Sequence, residues 1–260
     1  GVDGHAVTTF AQLLERIHEA VPKLQRIRFV TSYPRDFGDD VLAVIRDCPR
    51  ICPYLHVPAQ SGSDRILKLM NRGYTVGEYR SFIDRVMTEI PDAGIAGDLI
   101  VGFPTETDED FEATCNLVRQ IPFKNNFVFK YSPRPGTVAI DRLKDDVPEE
   151  TKRARINTLL DIQTEVSREV HAREIGRVHQ VFIEKVSKRA GGGGKVELGW
   201  ESRGQVSGRT SGDLITVADV ESEEAGAALI GSIQPVKIAE AGPRLLIGRL
   251  EGPSDAYDGL

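Results

Sequence analysis

The chain has 260 residues, 40 % of them hydrophobic and 28 % charged, with a formal net charge of −6. These are the values of an ordinary globular protein. They argue against a strongly basic nucleic-acid binder, though not against a local basic face. No window approaches eighteen uncharged apolar residues, so no transmembrane helix and no membrane partner are expected.

The N-terminus, Gly1-Val2-Asp3-Gly4-His5, has neither a basic region nor an apolar core and does not start with Met, so no export signal is expected and the sequence reads as a fragment. Three cysteines, Cys48, Cys52 and Cys115, then point to a reducing, cytoplasmic compartment without a disulfide framework.

Thr9-Phe10-Ala11-Gln12 reads as a capping box opening a helix with Phe10, Leu13, Leu14, Ile17 and Val21 on one face. A strand is expected over Ile27 to Thr31, and a second helix from Asp39 that Cys48-Pro49 stops. Tyr54 to Val57 is the next strand. It breaks into the polar knuckle Pro58-Ala59-Gln60-Ser61-Gly62-Ser63, and a short helix runs on to Met70.

Thr75-Val76-Gly77-Glu78 is another capping box, and Tyr79, Phe82, Ile83, Val86, Met87 and Ile90 keep helical spacing after it. Ile95 to Val101 is a buried-looking strand ending in Gly102-Phe103-Pro104. The acids of Thr107-Asp108-Glu109-Asp110 suit a helix N-terminus. Asn126 to Tyr131 is a strand ending in Ser132-Pro133-Arg134-Pro135-Gly136, and Pro148-Glu149-Glu150 begins a long helix. Strands alternating with helices imply a parallel sheet. The series opens on a helix, as though earlier βα units preceded it.

From about residue 174 the pattern changes to short strands expected at Val178–Val186, Val196–Trp200, Leu214–Val220, Ser232–Ala239 and Leu245–Leu250, with a Gly191–Gly194 hairpin tip. Five short strands in so little chain suggest a small β-barrel of oligonucleotide-binding size. Residues 251–260 read as a disordered acidic tail.

Unusual residues gather at the strand ends: Thr31 and Ser32; Gln60, Ser61 and Gly62; Asp98 with Gly102 and Phe103; Ser132 with Arg134. Any one cluster reads as turn chemistry. In a parallel barrel the strand ends share one rim, so four together are better explained by a shared ligand. Gly102 would let backbone approach a ligand, and Phe103 would stack on a flat ring or simply fill the core. Arg134, stiffened by two prolines, suits a carboxylate or phosphate, or else is an ordinary surface arginine. Cys48 and Cys52 form Cys-x-x-x-Cys, but position 55 is Leu where an iron–sulfur pattern needs a third ligand, so a structural role is expected and no metal site in this chain. His56 alternates inside a strand and reads as a satisfied core histidine or a residue turned to the rim.

Arg28 to Pro34, Leu55 to Asp64, Leu67 to Thr75, Asp98 to Thr107 and Tyr131 to Thr137, in this order and spacing, resemble the C-terminal two-thirds of the MiaB-type tRNA methylthiotransferases, which are radical S-adenosylmethionine (SAM) enzymes. Ser207 to Thr210 and Ile233 to Val236 resemble that family's RNA-binding TRAM domain.

The resemblance implies an α/β fold: part of a radical SAM (β/α) barrel over 1–173, a small all-β TRAM barrel over 174–250, and a tail over 251–260. It implies an enzyme that adds a methylthio group to carbon 2 of isopentenyl-adenosine beside the tRNA anticodon. One SAM would be cleaved to a 5′-deoxyadenosyl radical and another would supply the methyl group. The implied partners are tRNA and a flavodoxin- or ferredoxin-like reductant, and the protein would be a monomer. Two [4Fe-4S] clusters would have their ligands outside this chain, so the fragment alone is expected to be inactive.

Thr31, Ser32, Gln60, Ser61, Gly62, Asp98, Gly102, Phe103, Ser132 and Arg134 are the candidate cofactor residues. Lys185, Lys188, Arg189 and Arg209 are the candidates for holding tRNA. The alternatives are the sister branch acting on threonylcarbamoyl-adenosine, a cluster-free RNA-binding protein derived from such an enzyme, and a sugar- or phosphate-binding α/β barrel.

Overall fold

A computed structural model describes residues 8–30, 37–187 and 204–251. The chain divides into two compact units, residues 1–163 and 164–260, and the division falls inside one long helix.

In the first unit the order is α1 (Phe10–Ala20), α2 (Asp39–Asp47), β1 (Tyr54–His56), α3 (Asp64–Leu69), α4 (Val76–Glu89), β2 (Gly94–Val101), α5 (Asp108–Gln120), β3 (Phe123–Lys130), α6 (Val138–Arg142) and α7 (Glu149–Ala172). Both expected capping boxes are present, Thr9 with Gln12 and Thr75 with Glu78, and a third, Thr107 with Asp110, opens α5. Each satisfies two backbone groups that a helix start otherwise leaves without partners.

The three strands pair in parallel in the order β1-β2-β3. One face carries Leu55, Ile95, Leu99 and Val101, all essentially inaccessible, and Ile66, Leu67, Ile83, Val86, Leu117 and Val118 from the helices are equally buried. Burying a side chain of this size contributes about 1.5–3 kcal/mol, so this two-layer core organises the unit.

The expected strand from Ile27 is a correction. Among the described residues it is reduced to one isolated parallel bridge, Ile27 with Ile51, held by Ile27 N–H to Arg50 O (2.7 Å) and Cys52 N–H to Ile27 O (2.9 Å). Its far end, with Thr31, lies outside the described residues. The third strand begins earlier than expected, because Phe123 and Lys124 extend the ladder across an irregularity between Ile95 and Ala96. The short helix α6 has no counterpart among the expected elements.

The second unit is β-rich: β4 (Val178–Val186), β5 (Gly204–Arg209), β6 (Ile215–Val220), α8 (Glu223–Ala228), β7 (Ile233–Ala241) and β8 (Leu246–Leu250). The strands close in the order β4-β5-β6-β8-β7 around Val181, Val206, Ala218, Val236, Ile238 and Leu246. The expected strand at Val196–Trp200 lies outside the described residues, as does most of the expected tail. Gly204–Arg209 supplies a strand that periodicity does not mark, and α8 is likewise additional. At the end of α7, buried His171 places Nδ1 2.7 Å from Gly242 O.

Candidate ligand site at the strand ends and open face of the parallel sheet

Parallel strands point their C-terminal ends the same way, so the turns after β1, β2 and β3 share one edge. Three residues in the left-handed region sit there: Gln60 (φ 66°), Gly102 (φ 68°) and Thr105 (φ 68°). For the two that are not glycine this is uncommon backbone, and such conformations concentrate at functional loops.

The knuckle after β1 is knitted into the sheet and α5. Gln60 N–H donates to Asp98 O (2.8 Å), and Ile100 N–H donates to Gln60 O (2.9 Å). This bridge pairs Gln60 with Leu99, and Gln60 is buried. Gly62 N–H donates to Thr114 Oγ1 at 2.9 Å, and Ser61 Oγ lies 3.4 Å from the same hydroxyl. A Cβ on Gly62 would stand 2.3 Å from Ala113 O, so glycine is required here by the close approach of the α5 backbone. Ser63 caps α3 and donates its hydroxyl to Asp110 Oδ1 at 2.6 Å. Burial works to raise the Asp110 carboxyl, but hydrogen bonds from Arg65, Ser63 and Thr107 outweigh it and hold the group below its ordinary 3.8.

The turn after β2 is locked by buried charge. Gly102 N–H donates to Glu106 Oε2 at 2.6 Å, and Arg155 Nη1 donates to the same oxygen at 2.7 Å and to Glu106 O at 3.2 Å. Arg155 Nη2 reaches Asp108 at 2.7 Å. The stem of Lys152 fills the space a Gly102 Cβ would take, with Cγ 2.3 Å from that position, and its ammonium donates to both oxygens of Asp145 at 2.6 and 2.7 Å. Burial is the largest influence on Glu106 and raises its carboxyl, with the Gly102 and Arg155 contacts opposing. Phe103 is buried edge-on against Tyr131, 5.1 Å between ring centres at 72°.

Of the expected cofactor residues, then, Gln60, Ser61, Gly62, Gly102 and Phe103 are buried in the structure of the rim itself. Asp98, Ser132 and Arg134 remain accessible, and Thr31 and Ser32 lie outside the described residues. Asp98 stands on the sheet face opposite the packed core, with Oδ2 3.2 Å from His56 Nε2. The same face carries Phe127, in register with Asp98, and Phe129. Sequence reasoning misses both phenylalanines as well as Glu106, Lys152 and Arg155. The available signal is the alternation Asn125, Phe127, Phe129 and the i,i+3 spacing of Lys152 and Arg155.

In the second unit Lys185 is exposed, whereas Arg209 is engaged by Asp213 (3.1 Å) and Glu184 (3.4 Å). Lys188 and Arg189 lie outside the described residues. Cys48, Cys52 and Cys115 are all buried thiols, and burial pushes Cys115 up to about 11. They stand at the end of α2, before β1 and within α5. Among the described residues no group of three or more His, Cys, Asp or Glu is placed to hold a metal ion, so these residues offer an iron–sulfur cluster no ligand set.

Residues 4–118 match the family model of the radical SAM superfamily. Its enzymes work with SAM and an iron–sulfur cluster. A solved structure of coproporphyrinogen III oxidase from Escherichia coli, a radical SAM enzyme, shares the fold. It has a TM-score of 0.50 and 20 % identity, and the match covers 65 % of this chain and 44 % of that one.

More particularly, the chain is 44 % identical over 96 % of its length to the tRNA-2-methylthio-N(6)-dimethylallyladenosine synthase of Rhodopirellula baltica. It is 41 % identical over 93 % of its length to the enzyme of that name from Phocaeicola vulgatus, and 40 % over 89 % to that from Acetivibrio thermocellus. The matches cover 50 %, 49 % and 44 % of those proteins, so the chain spans about half their length.

Proposed function

We propose that this chain is part of a radical SAM tRNA methylthiotransferase that converts N6-dimethylallyladenosine in tRNA to its 2-methylthio derivative. The observation that carries the reading is 44 % identity sustained across 96 % of the chain, through both units, with an enzyme named for that reaction. Similarity restricted to the barrel would support only the superfamily. Similarity that continues through the β-rich unit supports a shared substrate as well.

In this reading residues 1–173 are the barrel portion and 174–250 a TRAM-like RNA-binding barrel. The protein acts as a cytoplasmic monomer on tRNA and takes electrons from a flavodoxin- or ferredoxin-like reductant. Among the described residues no helix is long and apolar enough to cross a membrane. SAM and two [4Fe-4S] clusters supply radical generation and sulfur and methyl transfer, with cluster ligands outside this chain.

The part left to the chain's own residues is holding and orienting. Asp98 accepts hydrogen bonds at the sheet's open face, where His56 is one donor already in place. Arg134 and Ser132, on the exposed turn after β3, grip an anionic group of SAM or of the target nucleotide. The locked turns at Gln60–Ser63 and Gly102–Glu106 keep the strand ends in one conformation, which is what preorganised positioning requires. Lys185, together with Lys188 and Arg189, attracts the tRNA backbone. Arg209 contributes less because two carboxylates already neutralise it.

The test is nucleoside mass spectrometry of tRNA from cells lacking the gene. The 2-methylthio-dimethylallyl nucleoside should vanish while its dimethylallyl precursor accumulates. Loss of the methylthio-threonylcarbamoyl nucleoside instead would assign the chain to the sister activity.

A further inference from the structure

Between β3 and α7 the chain makes an excursion over 132–144 that carries Ser132, Arg134 and the short helix α6. Ser132 and Arg134 are exposed. The turn closes on itself through Thr137, whose N–H and Oγ1 donate to Arg134 O at 3.2 and 2.8 Å. Compact surface segments of this length whose ends meet are frequently functional.

Both ends of this one meet at a single buried side chain, Lys152 of α7, which is 3 % exposed. At the outgoing end its ammonium lies 5.5 Å from the centre of the Tyr131 ring, within cation–π reach. At the returning end it donates to both carboxylate oxygens of Asp145. Burial raises the Tyr131 phenol and the Asp145 charge adds to the rise, as expected of two ends held close together. The same side chain reaches the turn after β2, because its stem lies against Gly102 and Tyr131 packs edge-on to Phe103.

Stability alone does not account for a charge in this place, since apolar groups of similar volume often match or exceed a buried ion pair. What an ammonium adds is direction. It has to stay within reach of one carboxylate and one ring face, and that fixes the base of the excursion. We infer that Lys152 is a positioning residue that acts through Arg134, with Arg134 gripping an anionic group as proposed above. Closing the base gives the guanidinium one direction in which to meet that group.

The experiment uses the complete gene product with its clusters reconstituted, assayed on tRNA bearing N6-dimethylallyladenosine. Lys152→Met keeps the stem against Gly102 and removes the charge, and the Asp145 side chain, 32 % exposed, can then be hydrated. Hydrogen exchange of the 132–144 amides should quicken by roughly 10-fold or more in this variant, because the base opens. Arg134→Ala should raise the KM of one reactant by about 10-fold, the loss of a charge-assisted contact. Lys152→Met should raise the same KM by about 5-fold, a partial loss of aim. A rise for SAM identifies its carboxylate as the anion and a rise for tRNA identifies a phosphate, and either supports the inference. The double variant should stay within about twofold of Arg134→Ala, because Lys152 then has nothing left to aim. Asp145→Asn opens the base from the other end and takes the place of Lys152→Met if that variant is poorly folded.

Unchanged exchange over 132–144 overturns the inference alone. So does a KM that Arg134→Ala raises and Lys152→Met leaves unchanged. A double variant in which the two factors multiply also overturns it, being the mark of a merely structural lysine. If Arg134→Ala leaves both KM values unchanged, the grip proposed for Arg134 fails and the inference with it. A wild-type enzyme that leaves dimethylallyl-tRNA unmodified defeats the proposed function itself, and this inference with it.

Discussion

Glu106 and Asp110 sit four residues apart in one loop-helix junction, and their surroundings push them in opposite directions. Glu106 is enclosed, and its carboxyl is raised above 4.5 because burial outweighs Gly102 N–H and Arg155. A raised acid binds its proton more tightly in the folded state, so folding gains as pH falls through the raised value toward 4.5. Asp110 is lowered below 3.8, so its stabilisation is present above that value and is lost as pH falls through its folded pKa. Glu106→Gln should therefore become more favourable relative to wild type as pH rises from about 5 to about 7. Asp110→Asn should flatten the loss of stability below about pH 4, where the wild-type carboxylate takes up its proton. Urea unfolding across pH checks both signs, and parallel pH curves for either variant would refute its assignment.

At the level of elements, two glycines do different jobs that a sequence motif cannot separate. Gly62 meets backbone, the Ala113 carbonyl of α5, while Gly102 meets the side-chain stem of Lys152 and also needs φ 68°. An added methyl at Gly102 is expected to cost roughly 2–3 kcal/mol, from the left-handed conformation and the contact together. Lys152→Ala in the same chain should recover only the contact part, leaving about 1 kcal/mol of backbone strain. Gly62→Ala should cost more, and truncating Thr114 should not relieve it, because the obstacle is main chain. Urea midpoints of the single and double variants decide this. Full rescue of Gly62→Ala by Thr114→Ala would show that the α5 backbone is not what excludes the methyl.

For the molecule as a whole, the three cysteines are dispersed and buried, and no metal-binding group occurs among the described residues. The 260-residue chain, purified and treated with iron and sulfide, is expected to retain no stoichiometric iron and to cleave no SAM. Iron analysis checks this, and one tightly held cluster per chain would contradict it.

Much of the architecture is legible in the amino-acid order. Capping boxes at Thr9 and Thr75, helical spacing from Tyr79 to Ile90 and the apolar run from Ile95 to Val101 are local signals, set by hydrogen bonding and periodicity within a few residues. The conspicuous strand-end motifs are legible too, and so is the resemblance they carry. Their orientation is not. Gln60, Ser61, Gly62, Gly102 and Phe103 build the rim, while Phe127 and Phe129 stand on the open face. Which side of a strand end a residue faces depends on register with neighbouring strands and on which helix packs beneath it. Those are contacts between residues far apart in the chain. Local chemistry along the chain is therefore enough to specify the elements and the family likeness. Which residues are free to meet a ligand is settled in the assembled fold, because burial belongs to the packed layers and not to the motif.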